Sequence, residues 1–238
     1  MPAPSAPEPT TLTELTLSGT DLLARPELAP GHGALRLLRC DLAAADLRHS
    51  DLSGTALVDC TMAGARLDGA VLVDTTWTGG SLSGAGFVDA ELTGARFDGV
   101  DLADVRFTGA LLTEVEFTGC RMTGAGLEGS RGLGIELRRC NLYGANLTGV
   151  TIANDDLAGV RFTEAVLRGA DLRGAVLDEC ELLHADLAGA NLQRADLRGA
   201  VLGPLDLDGL RALRGATINS AQAGRLLEEL TGVLVAPG

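Results

Sequence analysis

The residues in this chain best able to do chemistry are three histidines, five cysteines and a large excess of acids. His32, His49 and His184 lie far apart, and none falls in a metal-binding motif, a nucleophile–base arrangement or a phosphate-cradling loop. Their surroundings read as solvated surface, so no catalytic residue, metal site or cofactor is expected and the chain does not read as an enzyme. The cysteines are more regular, because Cys40, Cys60, Cys120, Cys140 and Cys180 all fall at multiples of 20. Strands stacked about 4.8 Å apart would bring Cys40 over Cys60 and Cys120 over Cys140, within reach of a disulfide. Cysteine also fills a core as a small apolar side chain, and core filling is the expected role.

Charge is the broader signal. The 238 residues carry 32 Asp and Glu against 19 basic residues, all of them Arg, for a net charge of −13. Such a surface repels nucleic acid and acidic membranes and attracts basic protein surfaces, including those that normally hold DNA. Direct binding to nucleic acid or membrane is therefore not expected. The charge is uneven: residues 41–120 hold 13 acids and four Arg, whereas residues 121–218 hold 13 acids and 11 Arg. Asp41, Asp98, Asp101, Asp104, Glu114 and Glu116 belong to the acidic half and are the candidate partner-binding residues. If that half forms four coils about 4.8 Å apart, it carries one net charge per roughly 2.1 Å, against one per about 1.7 Å in B-DNA.

What positions these residues is a repeat of five. Every fifth residue from Leu37 to Leu207 gives 35 centres, of which 34 are Leu, Phe, Met, Ile or Trp, and Gly132 alone departs. Two residues before each centre, 31 of 35 positions are Ala, Val, Cys, Ser, Thr or Gly; Leu35, Ile135, Asp155 and Leu205 are the exceptions. Gly recurs two residues after the centre, where a corner needs backbone angles other residues resist. A period of five fits neither a helix nor a simple strand. It fits a chain that turns a corner every five residues and sends one large and one small side chain inward from each side. Phe87, Phe97, Phe107 and Phe117, with Trp77 before them, then form a stacked aromatic core.

Segments such as Ala170-Asp171-Leu172-Arg173-Gly174 and Ala185-Asp186-Leu187-Ala188-Gly189 resemble the A(D/N)Lxx signature of the pentapeptide-repeat family. The resemblance implies an all-β solenoid, a right-handed quadrilateral parallel β-helix with four pentapeptides per coil and about nine to ten coils over residues 12–209. In function it resembles the Qnr-type, DNA-mimicking members of the family. That likeness implies a type II topoisomerase, above all DNA gyrase, as partner, to be modulated or protected from an inhibitor. The alternative is a non-catalytic scaffold for an unrelated protein partner.

The pattern lapses in five places. Residues 1–11 are Pro-rich, with neither the charge nor the apolar run of a secretory signal, and are expected to be disordered. Residues 25–34 read as a loop. Gly132 marks a degenerate side, and Asp155 puts a carboxylate at a small inward position, where burial costs several kcal/mol unless the group is hydrogen-bonded. Residues 210–238 lose the repeat; Ala221–Leu230 reads as a helix capped by Asn219 or Ser220. Leu226, Leu227, Leu230, Val233 and Leu234 form an apolar stripe expected to cap the last coil or join two subunits into a homodimer. No stretch is long and apolar enough to span a membrane, and a cytoplasmic location is expected.

Overall fold

The structure, a computed structural model, describes residues 10–17, Leu22 and 35–236. Residues 1–9 and the 25–34 segment lie outside the described residues. The chain winds into a right-handed, four-sided parallel β-solenoid. One face carries β1 (Thr10–Thr13), β2 (Leu35–Leu38), β3 (Ala56–Val58), β4 (Thr76–Thr78), β5 (Arg96–Asp98), β6 (Glu116–Thr118) and β7 (Glu136–Arg138). These strands form one parallel sheet in chain order. We call this face 1. Isolated bridges one turn apart build face 2 (residues 41, 61, 81 and onward), face 3 (46, 66, 86) and face 4 (51, 71, 91). Face 2 ends in the pair β8 (Glu181–Leu182) and β9 (Val201–Leu202).

From Leu37 to Leu197 every turn is four pentapeptides long, with Leu37 under Leu57 and Trp77 under Phe97. That spacing gives about eight regular turns rather than nine to ten. The flanking turns are irregular. β1 pairs with β2 through Thr10 with Leu35 and Leu12 with Leu37, so the first turn holds one extra pentapeptide. The last turn is longer by a single position, Asp196 pairing with Thr217. Strand pairing also begins at Thr10, inside the segment expected to be disordered.

Apart from Gly199, the corners from Leu37 to Leu197 solve a local problem in the same way. The residue two after the centre takes a left-handed backbone, and where it is not Gly its φ lies between 49° and 64°. Asn, Asp and His tolerate that region better than most residues, and Asp59, Asp74, Asp89, Asp104, Asn154, His49 and His184 all sit there. The two described histidines are thus corner residues. The residue before the centre explains the D/N of the repeat. Its side chain accepts the outward N–H two residues on, as in Ala43 to Asp41 at 3.0 Å, Ala103 to Asp101 at 3.1 Å and Thr148 to Asn146 at 3.1 Å.

The interior is narrow and nearly all aliphatic. Trp77, Phe97 and Phe117 stack on face 1 at centroid distances of 5.6 and 5.0 Å, and Phe87 stacks on Phe107 on face 3 at 5.0 Å. The Trp77 indole N–H donates to Thr75 Oγ1 at 3.0 Å, which accounts for a buried Thr in an Ala position. The five cysteines are free and buried, in one column at the corner between faces 1 and 2. Their thiols donate to main-chain carbonyls of the preceding turn, Cys60 to Leu37 at 3.5 Å and Cys120 to Phe97 at 3.4 Å. Burial pushes the Cys180 thiol up to about 12, and the adjoining Cys140 thiol, together with burial, raises Cys120, so neither of these two is a ready nucleophile.

The repeat ends earlier than its spacing suggests. Leu207 is 66% exposed instead of inward, because Asp206 caps a short helix α1 (Leu207–Ala212) and carries the chain off the solenoid. A second helix, α2 (Ser220–Thr231), is capped by Asn219 and Gln222 in a reciprocal capping box. Gln222 is buried, and its amide donates to the Leu197 and Ala200 carbonyls, both at 2.7 Å. It thereby closes the open end of the last turn, whose edge would otherwise be unpaired. Replacing a central inward residue tests the whole arrangement. Leu147 is fully buried, and Leu147→Asp places an unpaired charge in the core at a cost of several kcal/mol. The expected outcome is loss of the cooperative thermal transition in circular dichroism; an unchanged melting temperature would refute the inward placement.

Candidate functional site

The acidic half of the rod is sorted by its faces. Between residues 41 and 120, face 3 is balanced: Asp46, Asp68 and Asp89 stand with Arg48, Arg66 and Arg106. Face 1 carries Asp59, Asp98 and Glu116 against Arg96. Face 2 carries Asp41, Asp101 and Asp104 with no Arg, and face 4 carries Asp51, Asp74, Glu91 and Glu114 with no Arg. On face 4 there is one carboxylate per turn. These carboxylates alternate between two columns, Asp51 and Glu91 before the centre and Asp74 and Glu114 at the corner, so the face carries one charge per about 4.8 Å of rod, against one phosphate per about 3.4 Å of a DNA strand.

The six acids singled out from the sequence do not form one patch. Asp101 is half-buried and paired to Arg121, and Glu116 is half-buried and paired to Arg96 at 3.1 Å. Asp41, Asp98, Asp104 and Glu114 are exposed and have no ion-pair partner among the described residues. Asp98 lies on face 1, Asp41 and Asp104 on face 2, and Glu114 at the far corner of face 4. Sequence counting missed Asp51, Asp74 and Glu91 as members of a row. They are unevenly spaced along the chain and show no period until it is wound four pentapeptides to the turn.

At the C-terminal end, Leu226 is 6% exposed and packs into the solenoid core, so it belongs to the cap and cannot serve a second subunit. Leu227, Leu230, Val233 and Leu234 are exposed, Leu234 by 91%. They surround the outer side of α2 and its C-terminal extension.

A third feature was signalled by Gly132 and Asp155. Gly132 has φ 121°, and a side chain there would press on the main chain of Thr113. Directly above it on the stack, Thr151–Asp155 fails to pair with the turn below. A cleft of about 470 Å³ opens there, lined by residues that include Leu133, Ile135, Glu136, Asn154, Asp155 and Arg173. Asp155 Oδ1 accepts the Asp156 N–H at 2.8 Å, while Oδ2 is buried with no partner. Burial raises the Asp155 carboxyl above the usual carboxylate range, with the nearby Glu136 charge acting in the same direction. A raised folded-state value means that the ionised form destabilises the fold at neutral pH, and that this penalty is relieved as pH falls to the unfolded value of 3.8. Asp155→Asn is therefore expected to melt higher than the parent at pH 7. The difference should vanish below about pH 4 in a pH series of thermal melts.

Known proteins place these features in a family. The profile described as pentapeptide repeats matches in 8 copies, over residues 36–74, 65–102, 101–131, 156–193 and 165–203, and so skips the stretch around the cleft. No curated protein sequence matches the chain. Among solved structures, trypsin-treated QnrB1, a plasmid-mediated fluoroquinolone resistance protein, superposes with a TM-score of 0.61 at 23% identity, over 97% of this chain and 100% of that one. Full-length QnrB1 gives a TM-score of 0.52 at 22% identity, over 93% and 99%. HetL, a pentapeptide repeat protein involved in heterocyst differentiation regulation from the cyanobacterium Nostoc sp. strain PCC 7120, gives 0.57 at 26% identity, over 81% and 86%. With its repeat matched over more than half its length, the chain belongs to the pentapeptide-repeat family.

Proposed function

We propose that this protein is a DNA mimic that binds a type II topoisomerase, DNA gyrase above all, in the cytoplasm, and modulates it or protects it from an inhibitor. The observation that carries the proposal is the uncompensated row on face 4, Asp51, Asp74, Glu91 and Glu114, flanked by Asp98 on face 1. The face presents one unpaired carboxylate per turn, in two alternating columns, on a stiff rod, and a basic DNA-binding channel accepts such a charged surface. The likeness over 97% of this chain to QnrB1, a fluoroquinolone resistance protein, supports the protective side of this reading. A second reading is a scaffold for an unrelated partner, favoured by the likeness to HetL at slightly higher identity.

Competition with DNA requires contacts that weaken steeply with salt. Asp74→Asn, Glu91→Gln and Glu114→Gln together remove three unpaired charges and keep polar side chains in place. The triple variant should fold normally, since exposed substitutions cost little, and bind gyrase about tenfold or more weakly, with a shallower salt dependence. A control triple at ion-paired acids, Asp46→Asn, Asp101→Asn and Glu116→Gln, should lose much less. Equal binding by all three proteins, or simultaneous binding of DNA and this protein, would leave the scaffold reading in the lead.

The exposed Leu227, Leu230, Val233 and Leu234 fit a twofold contact with a second copy of the chain, because an apolar patch on a helix is poorly left in water. Leu230→Glu with Leu234→Glu spares Leu226 and Gln222, which cap the last turn. Light scattering is expected to give twice 24.4 kDa for the parent chain and a monomer for the double variant. A monomeric parent would confine α2 to its capping role.

A further inference from the structure

The hydrogen-bond ladder of the solenoid is broken at one interface between turns, and the break is sharply bounded. One turn below it, all four rungs on face 4 are made: Leu112 N–H to Arg131, Glu114 to Leu133, and back from Arg131 to Ala110 and Glu136 to Val115, at 2.7–2.9 Å. One turn above, the four equivalent rungs are again made, Ile152 to Asp171, Asn154 to Arg173, Asp171 to Val150 and Val176 to Asp155, at 2.7–2.9 Å. Between them none forms. The N–H groups of Gly132, Gly134 and Thr151 have no carbonyl partner, and the Asp156 N–H has turned to the Asp155 carboxylate. β7 has no partner strand above it, and pairing resumes only at Arg139, whose N–H reaches Ala158 at 3.3 Å. Across the same two turns, faces 2 and 3 stay bridged, Asn141 to Arg161 and Asn146 to Val166. The turns are therefore splayed apart like a wedge at the corner of faces 4 and 1.

We propose that this seam is a docking slot for an extended, basic segment of a partner protein, which adds as a strand between the two turns. The unpaired N–H and C=O groups lie on both walls of the 470 Å³ cleft, and in folded proteins such groups are nearly always paired once water is excluded. An open strand edge is the feature that extended peptides bind through their main chain, with alternate side chains giving specificity. The charge selects a basic segment. Glu114 lies beneath Gly134, and it is free of the ion pairs by which Arg96 and Arg138 engage Glu116 and Glu136. Nearby cations are already engaged: Arg173 by Asp171, Arg138 by Glu136, and Arg131 by the Gly109 carbonyl. Glu114 and Asp155 have no cation partner among the described residues, and Asp155 Oδ2 is buried and lacks a donor. A cationic side chain entering the cleft supplies one. Leu133, 68% exposed at its rim, supplies an apolar contact for the next outward residue of the guest. This inference does not depend on the DNA-mimic reading, since it needs no topoisomerase; the two surfaces share Glu114.

The test uses the full chain and three short synthetic peptides: one of alternating Arg and Val, one with Glu in place of Arg, and the Arg peptide N-methylated at alternate backbone nitrogens. Amide hydrogen exchange is followed residue by residue. In the free protein, Gly132, Gly134 and Thr151 should exchange rapidly while their counterparts one turn below are protected. The Arg peptide should bind and slow those three amides about tenfold or more, whereas N-methylation should weaken binding about tenfold, the loss of one or two net hydrogen bonds. Asp155→Asn, expected to fold at least as stably as the parent, should also bind more weakly, and the Glu peptide should not bind. The proposal is overturned if the three amides are already protected in the free protein, or if the Arg peptide does not bind. It is equally overturned if that peptide binds with their exchange unchanged and with no penalty from N-methylation, which would locate it on the acidic surface alone.

Discussion

Each centre in a regular turn of this solenoid sends its main-chain N–H to a carbonyl in the next turn, one position short of the residue stacked above it. Leu102 does so to Arg121 and Leu147 to Val166, and the rest of the structure follows from keeping that bond. A bond that always reaches the same distance along the chain fixes the turn at four pentapeptides. Four equal sides then require a corner every five, and a corner that tight requires a left-handed residue at its end. The interior is left too narrow for anything but one large and one small side chain per side. The N–H groups that point outward at the corners fall outside the ladder, and Asp or Asn before the centre captures them. The composition of the chain, rich in Leu, Ala, Gly and Asp and poor in aromatics, is the inventory such a ladder demands.

Because the ladder is periodic, the family and the fold were legible from the sequence. A spacing that repeats 34 times in 35 leaves little freedom, and the cysteines at multiples of 20 gave the length of a turn independently. What the repeat did not disclose were events at its ends and at its fault. Leu207 keeps the period but points outward, because Asp206 caps a helix one residue earlier and helix geometry overrides the five-residue spacing. Leu226 reads as part of an exposed stripe but is buried, since the last turn needs a lid and α2 provides it. Gly132 and Asp155 were both visible as exceptions. That they border the same interface between turns became apparent only once the chain was wound.

The acidic site was legible in total and not in arrangement. Counting charges located the acidic half, but the charges that matter to a partner are those without an Arg on the same face. Asp101 and Glu116 are neutralised by Arg residues one turn away, Arg121 and Arg96. Such pairs contribute little to stability at a solvated surface, yet they cancel the field that a basic partner would feel. An Arg stacked one turn from an acid therefore silences it, whereas an acid without such a neighbour stays exposed to the partner.

Whether the remaining acids serve the fold or a partner can be argued from the chemistry of the corner itself. The residue before the centre needs only a side-chain oxygen to accept an N–H, and Asn141, Asn146 and Asn191 do this as well as Asp. The left-handed corner likewise accepts Gly or Asn154 in place of Asp. The fold thus has a neutral solution at both positions, and it uses that solution repeatedly beyond residue 140. Between residues 41 and 101 the position before the centre carries Asp41, Asp46, Asp51 and Asp101 and never an Asn. On face 4 Asp51 and Glu91 are separated by Val71, two turns or about 9.6 Å apart, so their repulsion in water is only about 0.4 kcal/mol. The acidic row is therefore a feature that the ladder accepts and does not require, which fits the basic partner surface proposed above.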